Sequence, residues 1–544
     1  DPAAGTLTFP AEAAKLAVEE FKGKYGTGNR ERLIREHILK NFYAFELMMA
    51  PYAIGHIKIS FLLEELGYAL KGDDRFNLYL TNTLEMEEIH ATNLPGMASL
   101  SEESEAAGKV KKQIPILVIM GNPPYSGHSS NKYEEVKEYY QVDGKPLKEK
   151  NPKWLQDDYV KFIRFSQWKI DQAGEGVLGF ITNHGYLDNP TFRGMRQSLL
   201  KSFDEIYLLD LHGNSKKKET SPDGSKDENV FDNQQGVAIG LFIKKKGDGV
   251  KGDAKVYHAD LYGRREEKYR WLEEKDIHTT DWRQLTPHSE TYFFMPRDEK
   301  LLGRYEKHPK IPDIFLVNSV GIVTARDNLT IQWTPEQIRK IIMLFPRMDS
   351  ESARTTYQLG KDARDWKVEL AQRDLLESGM DNSRIQPILY RPFDIRYTYY
   401  TGKSRGFLCM PRPEVMRHML RENLGLITRR QMLPNHPCNY VFISNKLISD
   451  GVIRSDNKGS ESLFPLYLYP EKGEPHIFSS TDSQKEREPN LNSAIVGRLS
   501  ETYGRQPLPE EVLYYVYAVL YAPAYRSRYA EFLKSDFPRI PFTG

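Results

Sequence analysis

The chain has 544 residues, 39% of them hydrophobic and 12% aromatic, with a formal net charge of +1; it is long enough for several domains, and any contact with nucleic acid must come from local basic patches. No apolar run approaches the ~18 residues of a membrane helix and no secretory signal pattern opens the chain, which excludes a membrane partner on these patterns. Only two cysteines, Cys409 and Cys438, are present, which argues against a disulfide framework, assigns no metal-ligand set and fits a reducing cytoplasm.

Roughly the first 265 residues alternate helical and strand patterns, as a parallel α/β sheet requires. The opening "DPAAGTLTF" is an acid, a proline, small residues and Gly5, a tight turn that lets backbone approach a ligand. Because it starts at Asp1 without methionine, inside what looks like a motif, upstream sequence is expected. "AEAAKLAVEEFKGKYG" then reads as an amphipathic helix closed by glycine. "NFYAFEL", "FNLYLTNTL", "IPILVIMGNP", "GVLGFITN", "EIYLLDLHG" and "GVAIGLFIKK" read as strands, several apolar on both sides, as in a sheet covered by helices. "DDYVKFIRFSQWKID" is a helix between two of them, and the polar stretch 212–235 is either a functional loop or disordered. The Gly-, Lys- and Asp-rich stretch 244–255 offers a boundary, and the chain is divided into domains at 1–265 and 266–544. After it, Pro, Arg and Tyr become frequent, strands such as "SVGIVTA", "ILYRPFDIRYTYYT", "LGLITRR" and "NYVFIS" are short, and the C-terminal segment is helical.

Three strand ends carry candidate chemistry. Glu46 ends the strand "NFYAFEL", and an acid at the end of the second strand is the usual ribose-hydroxyl ligand in doubly wound folds; a solvated strand-end acid is an equally good reading of Glu46 alone. Asn82 and Thr83 end the next strand and could meet a base edge, although ordinary turn residues explain each singly. "GNPPYSG" at 121–127 follows a buried-strand pattern. Neither Pro123 nor Pro124 has an N–H and both fix φ, so this is a stiff turn that shows an amide, Asn122, a free carbonyl and the ring of Tyr125. Ligands of open α/β sheets bind at such strand ends.

The order of these parts resembles the amino-methyltransferases that act on exocyclic nitrogens with S-adenosylmethionine. The resemblance implies that Asp1, Pro2, Ala3, Gly5 and Phe9 hold the cofactor, with Glu46, Asn82, Thr83 and Phe162 lining its pocket, and that Asn122, Pro123, Pro124 and Tyr125 hold the target base. Phe162 on its own reads equally well as a core phenylalanine. Leu7 departs from the pattern, standing where a second glycine is common, and the strand that normally precedes Asp1 is not in the chain. Further segments, "FYAFELMMAPYAIGHIKI", "ITNHGYLDNPTFRGMRQSL", "LHGNSKKKE", "DENVFDNQQGVAIGLF" and "YAEFLKSDFPRIPF", resemble single-polypeptide type ISP restriction-modification enzymes through nearly the whole chain. That resemblance implies a Rossmann-like methyltransferase sheet joined to a mixed α+β target-recognition domain. It also implies double-stranded DNA as partner and nuclease and helicase-like domains upstream. "TGKS" at 401–404 fails as a phosphate loop because Tyr397 stands where glycine is needed.

The implied chemistry is methyl transfer to adenine N6. The amino nitrogen is a poor nucleophile because its lone pair is delocalised. The Asn122 side-chain oxygen and the Pro123 carbonyl can accept its two N–H bonds and favour a pyramidal nitrogen, so alignment supplies the rate. The base must leave the duplex, and Tyr125 compensates lost stacking. Lys216, Lys217 and Lys218 could touch phosphates, and Lys403, Arg405, Arg429, Arg430 and Gln431 have the types that meet phosphates and base edges; a solvated charge run and surface salt bridges are their plain alternatives. Two rival functions remain: a specificity module without cofactor, and a methylase of protein glutamine.

Overall fold

The apolar runs of the first half become the strands of two neighbouring sheets. β1 (Tyr43–Glu46) and β2 (Asn77–Leu80) pair in parallel, Ala44 opposite Leu78. β3 (Val118–Gly121), β4 (Gly176–Asn183), β5 (Glu205–Asp210), β6 (Val237–Lys244), β7 (Lys255–Asp260) and β8 (Arg283–Leu285) form a six-stranded sheet in the order β8-β7-β5-β6-β4-β3. The computed structural model describes residues 1–544 except 87–97, 126, 128, 150–151, 218, 248–251, 289–290, 433–437, 455–459, 471–486 and 543–544. Two compact units divide it, Asp1–Arg297 and Asp298–Gly544.

The six-stranded sheet is mixed, where a parallel one was expected. β3 runs parallel to β4, and β5 to β7, but β6 lies antiparallel between β4 and β5. An antiparallel neighbour needs no crossover helix, so the chain leaves β5 through the loop at 211–236 and returns directly. The stretch 244–255 leads from β6 into β7 of the same sheet, and β8 extends that sheet past residue 265. The division therefore lies beyond both expected places, between Arg297 and Asp298.

Helices α1 (Thr8–Tyr25), α2 (Met49–Glu65), α3 (Ala98–Lys112), α4 (Asp158–Ala173) and α5 (Arg193–Ser202) cover this unit. α4 is buried along most of its length; Phe162, Ile163, Phe165 and Ile170 pack with Leu178 and Phe180 of β4. Burying each such side chain contributes about 1.5–3 kcal/mol. Among the described residues no helix is long and apolar enough to cross a membrane.

Between β1 and β3 lies a cavity of about 550 Å³, lined by Tyr43 and Phe45 of β1, Val118 and Met120 of β3, and Phe165 and Lys169 of α4. Asp1 stands at its end. The Asp1 amino group donates to the Tyr43 carbonyl at 2.9 Å, and the Phe45 N–H donates to the Asp1 carbonyl at 2.9 Å. Those two bonds bracket Ala44 as parallel strand pairing does.

The second unit is α+β. β9 (Ser319–Val320), β12 (Gly425–Arg429), β13 (Phe442–Ser444) and β15 (Glu461–Pro465) form a four-stranded sheet, and β10 (Ile385–Arg391), β11 (Asp394–Tyr399) and β14 (Leu447–Ile448) a three-stranded one. Their core gathers Ile338 and Ile342 from α6 (Pro335–Leu344), Leu375 from α7 (Val368–Ser378), and Trp366, Tyr399, Phe407 and Leu463. The terminal helical segment is broken at Ala522, because Pro523 pushes the preceding residue out of helical geometry.

Candidate active site at the strand ends

β3 delivers the Asn122-Pro123-Pro124-Tyr125 turn to the C-terminal end of the sheet. Asn122 and Pro124 are exposed, Pro123 is buried and Tyr125 is half-buried. The Tyr125 hydroxyl lies 2.8 Å from Asn122 Oδ1 and 3.1 Å from the Ile181 carbonyl, either of which it can donate to. Burial pushes its phenol well above the usual range, so it stays a donor. Its ring meets Tyr159 edge-on at 6.3 Å and packs toward Leu209, Leu211 and Val230. The hydroxyl therefore steers the amide, a role that the ring alone does not suggest.

The opening turn sits beside this motif. A Cβ added to Gly121 would lie 2.7 Å from Asp1 Oδ1, so only glycine lets the Asp1 carboxylate come this close to the start of the turn. Asp1 Oδ1 accepts the Ala3 N–H at 3.0 Å, while Oδ2 is buried without a hydrogen-bond partner. Glu46 closes the same turn: Oε2 accepts the Gly5 N–H at 2.8 Å and Oε1 the Met48 N–H at 2.7 Å. Leu7 adopts φ +62°, the left-handed conformation a glycine would take, and its side chain is fully buried against Gly55. The leucine keeps the loop's backbone course, and Phe9 follows in the first turn of α1.

Thr83 is buried and donates to the Pro2 carbonyl at 2.5 Å, so its hydroxyl fastens the opening turn to the end of β2. Asn82 donates to Asn131 Oδ1 at 2.9 Å, and Asn131 donates to Asp158 Oδ1 at 3.0 Å. Ser129 also donates to Asp158, and Lys161 donates to Ser129 Oγ at 3.1 Å. Lys111 bonds Thr81 Oγ1, the Asn82 carbonyl and the Glu85 carbonyl at 2.8, 2.7 and 3.0 Å, and burial lowers its ammonium to about 8. Sequence reasoning missed Lys111, Ser129, Asn131, Asp158 and Lys161; none stands in a short motif. Phe162 lies in the core of α4, 6% exposed.

The loop at 211–236 is ordered by buried charge. His212 bonds Glu219 Oε1 and Asp260 Oδ1, each at 2.9 Å, stacks on Tyr262 at 3.8 Å, and lies 3.7 Å from Asp210. Burial opposes a charged ring, but Asp210, Asp260 and Glu219 outweigh it and raise His212 to about 10. Asp210 also bonds His184 at 3.0 Å. Lys268 and Asp227, both fully buried, pair at 2.7 Å, and Asp227 accepts the Gly213 N–H. Lys216 is exposed on this loop; Lys217 ends a short helical turn, and Lys218 lies outside the described residues.

In the second unit the nominated DNA-binding residues are engaged internally. Arg429 is 5% exposed and paired with the buried Glu461, which removes it from base reading. Its place on β12, opposite Glu461 of β15, turns it into the sheet. Arg430 pairs with Asp536 at 2.8 Å, and Gln431 donates to the Ser535 carbonyl at 3.0 Å. Lys403 pairs with Glu377, and Arg405 with Asp365 at 3.4 Å. Cys438 is buried.

A family model described as the Eco57I restriction-modification methylase matches residues 44–216, and one described as the type ISP C-terminal specificity domain matches residues 313–544. No curated protein sequence matches the chain. Among solved structures, the type ISP enzyme LlaBIII bound to DNA aligns over 100% of this chain and 36% of its own, with 22% identity and a TM-score of 0.72. A nuclease-deletion mutant of the type ISP enzyme LlaGI with a DNA substrate mimic aligns over 100% and 42%, with 23% identity and a TM-score of 0.70. A DrdV–DNA complex aligns over 100% and 52%, with 24% identity and a TM-score of 0.67. At these identities the likeness is one of fold, and the chain spans about a third to a half of those chains. The chain thus carries an Eco57I-type restriction-modification methylase region followed by a type ISP C-terminal specificity domain.

Proposed function

We propose that the chain is a DNA methyltransferase of a restriction-modification system that methylates adenine N6 in duplex DNA with S-adenosylmethionine. One observation carries this reading: the Asp1 carboxylate lies against Gly121, immediately before Asn122. A cofactor-holding turn and a base-holding turn thus share one strand end. The donor set fits the cofactor, because the buried Asp1 Oδ2 lacks a partner and an ammonium or hydroxyl group would supply one. Glu46 keeps free lone pairs beyond the two N–H bonds it accepts.

S-adenosylmethionine supplies an electrophilic methyl group on a sulfonium. Asn122 Oδ1 and the Pro123 carbonyl accept the N–H bonds of the amino group and aim its lone pair. The Tyr125 hydroxyl fixes Asn122 Oδ1 and leaves its second lone pair for the base. Rate then comes from alignment, with no covalent enzyme intermediate. The base is flipped out of the duplex to reach this turn. Chemistry resides in the first unit and site selection in the second, because a turn that touches one flipped base cannot read its neighbours. We further propose that nuclease and translocase domains lie upstream in the same polypeptide, which acts in the cytoplasm, and that an extended segment before Asp1 fills the cavity between β1 and β3 as a parallel strand. The test is transfer of radiolabelled methyl from S-adenosylmethionine to duplex DNA, with the product base identified. Labelled N6-methyladenine is the expected product; label on cytosine, or on protein alone, overturns the reading.

A further inference from the structure

The turn joining β10 to β11 is built against its own chemistry. Arg391 and Asp394 are cross-strand partners, so Pro392 and Phe393 are the two turn residues. Proline first and a positive φ second is the pattern of a type II turn, which calls for glycine or asparagine at the second place. Phe393 stands there with φ +64°. A bulky residue in that region is an outlier, and burial does not repay it, because Phe393 is 92% exposed. Among the described residues its ring meets Phe442, edge-on at 6.2 Å. Strained residues of this kind mark sites where something other than folding selects the side chain.

The surroundings say what that is. Arg391 lies over the Tyr390 ring at 4.0 Å, and Arg396 lies over Tyr390 at 4.2 Å and over Trp333 at 3.9 Å. Trp333 is 62% exposed. Tyr390 is anchored by its hydroxyl to Asp327 at 2.7 Å, and Arg396 pairs with Asp394 at 2.8 Å. Among the described residues Arg391 has no carboxylate partner, unlike Lys403, Arg405, Arg429 and Arg430. A guanidinium stacked by its face keeps its N–H groups in plane for phosphate. Layers of aromatic ring and guanidinium around a rigid apolar tip suit stacked bases and their backbone.

We propose that Phe393 is an apolar wedge that enters a base step of duplex DNA, with Arg391 on the adjacent phosphate. This rests on the reading above that the chain acts on DNA. Side chains of this type unstack a step and bend the duplex, which eases extrusion of a base nearby.

The test uses the whole chain and bulk unmodified duplex DNA as the probe. Phe393→Gly is expected to fold with an unfolding midpoint equal to or above wild type, since the turn prefers glycine. Its KM for DNA should rise by about tenfold or more, within the range of losing one aromatic–base stack, while S-adenosylmethionine binding is unchanged. Phe393→Leu should retain most of the affinity, because leucine is also a wedge. Arg391→Ala should flatten the salt dependence of binding by about one phosphate contact. An unchanged KM for Phe393→Gly overturns the proposal, as does a lowered unfolding midpoint, which would make the ring structural. A change in oligomeric state on substitution would assign the ring to a second copy and overturns it too. Failure of wild type itself to methylate DNA sinks the functional reading first and this inference with it.

Discussion

The two units spend their polar side chains in opposite ways. At the strand ends of the first unit, carboxyl and amide groups are left open: Asp1 Oδ2 has no partner and Asn122 is exposed. In the second unit the conspicuous basic residues are consumed by neighbours, Arg429 by Glu461 and Arg430 by Asp536. The difference teaches that chemistry needs a few groups with capacity to spare at one place. The residue types that look apt for base edges are also those a sheet uses for internal pairing.

The comparison breaks most visibly at Arg429. Arg429→Ala leaves Glu461 buried and uncompensated, where burial already raises its carboxyl. The expected cost is about 3–5 kcal/mol of stability, read by urea unfolding. A stable variant with altered site preference would restore Arg429 to the reading surface. Next comes Asn122→Ala, which should lower methyl transfer by about 10²–10³-fold, the usual cost of one positioned polar group at a reacting centre, with S-adenosylmethionine affinity little changed. Equal loss of cofactor binding would place Asn122 in the cofactor pocket.

Glu46→Ala should weaken S-adenosylmethionine binding by about 1.5–3 kcal/mol by calorimetry, because the Gly5 and Met48 N–H groups lose their acceptor as well. Unchanged affinity would reject the assignment. His212 makes the first unit pH-dependent. Its folded-state value is raised from 6.5 to about 10, so its contribution is complete below pH 6.5 and is lost as pH rises toward 10. The slope should be at most about 1.4 kcal/mol per pH unit, and His212→Asn should flatten it. The smallest effect belongs to Lys403→Ala, which removes a solvent-exposed pair with Glu377. The unfolding midpoint should not move, since exposed pairs contribute little.

Much of the first unit was legible because its strands are apolar on both faces. β4 and β6 fall within one residue of their runs, Glu46 ends β1, and Asn122 directly follows β3, whereas β2 stops at Leu80, short of Asn82 and Thr83. Strand direction was not legible: alternation carries no sign, so the antiparallel return of β6 could not be seen. The Asn82–Asn131–Asp158 chain was missed because its members lie in separate elements with no shared period. The Arg429–Glu461 pair was missed because its partners are 32 residues apart and meet only through sheet register. The Tyr125 hydroxyl and the Leu7 conformation follow from packing, which residue types alone do not specify.

The cavity between β1 and β3 has a consequence for handling this span of chain. β1 pairs with β2 on one side only, and β3 is the last strand of its sheet. β1 spends its Tyr43 carbonyl and both Phe45 backbone groups on Asp1 and Ala4, so the edge left without a strand partner is that of β3, with Leu117 and Val118 at least half exposed beside the apolar slot. An unguarded edge of this kind is a template for foreign strands. Prepared alone at high concentration, this span would self-associate through that edge, and an extended peptide able to occupy the slot would act as its solubiliser.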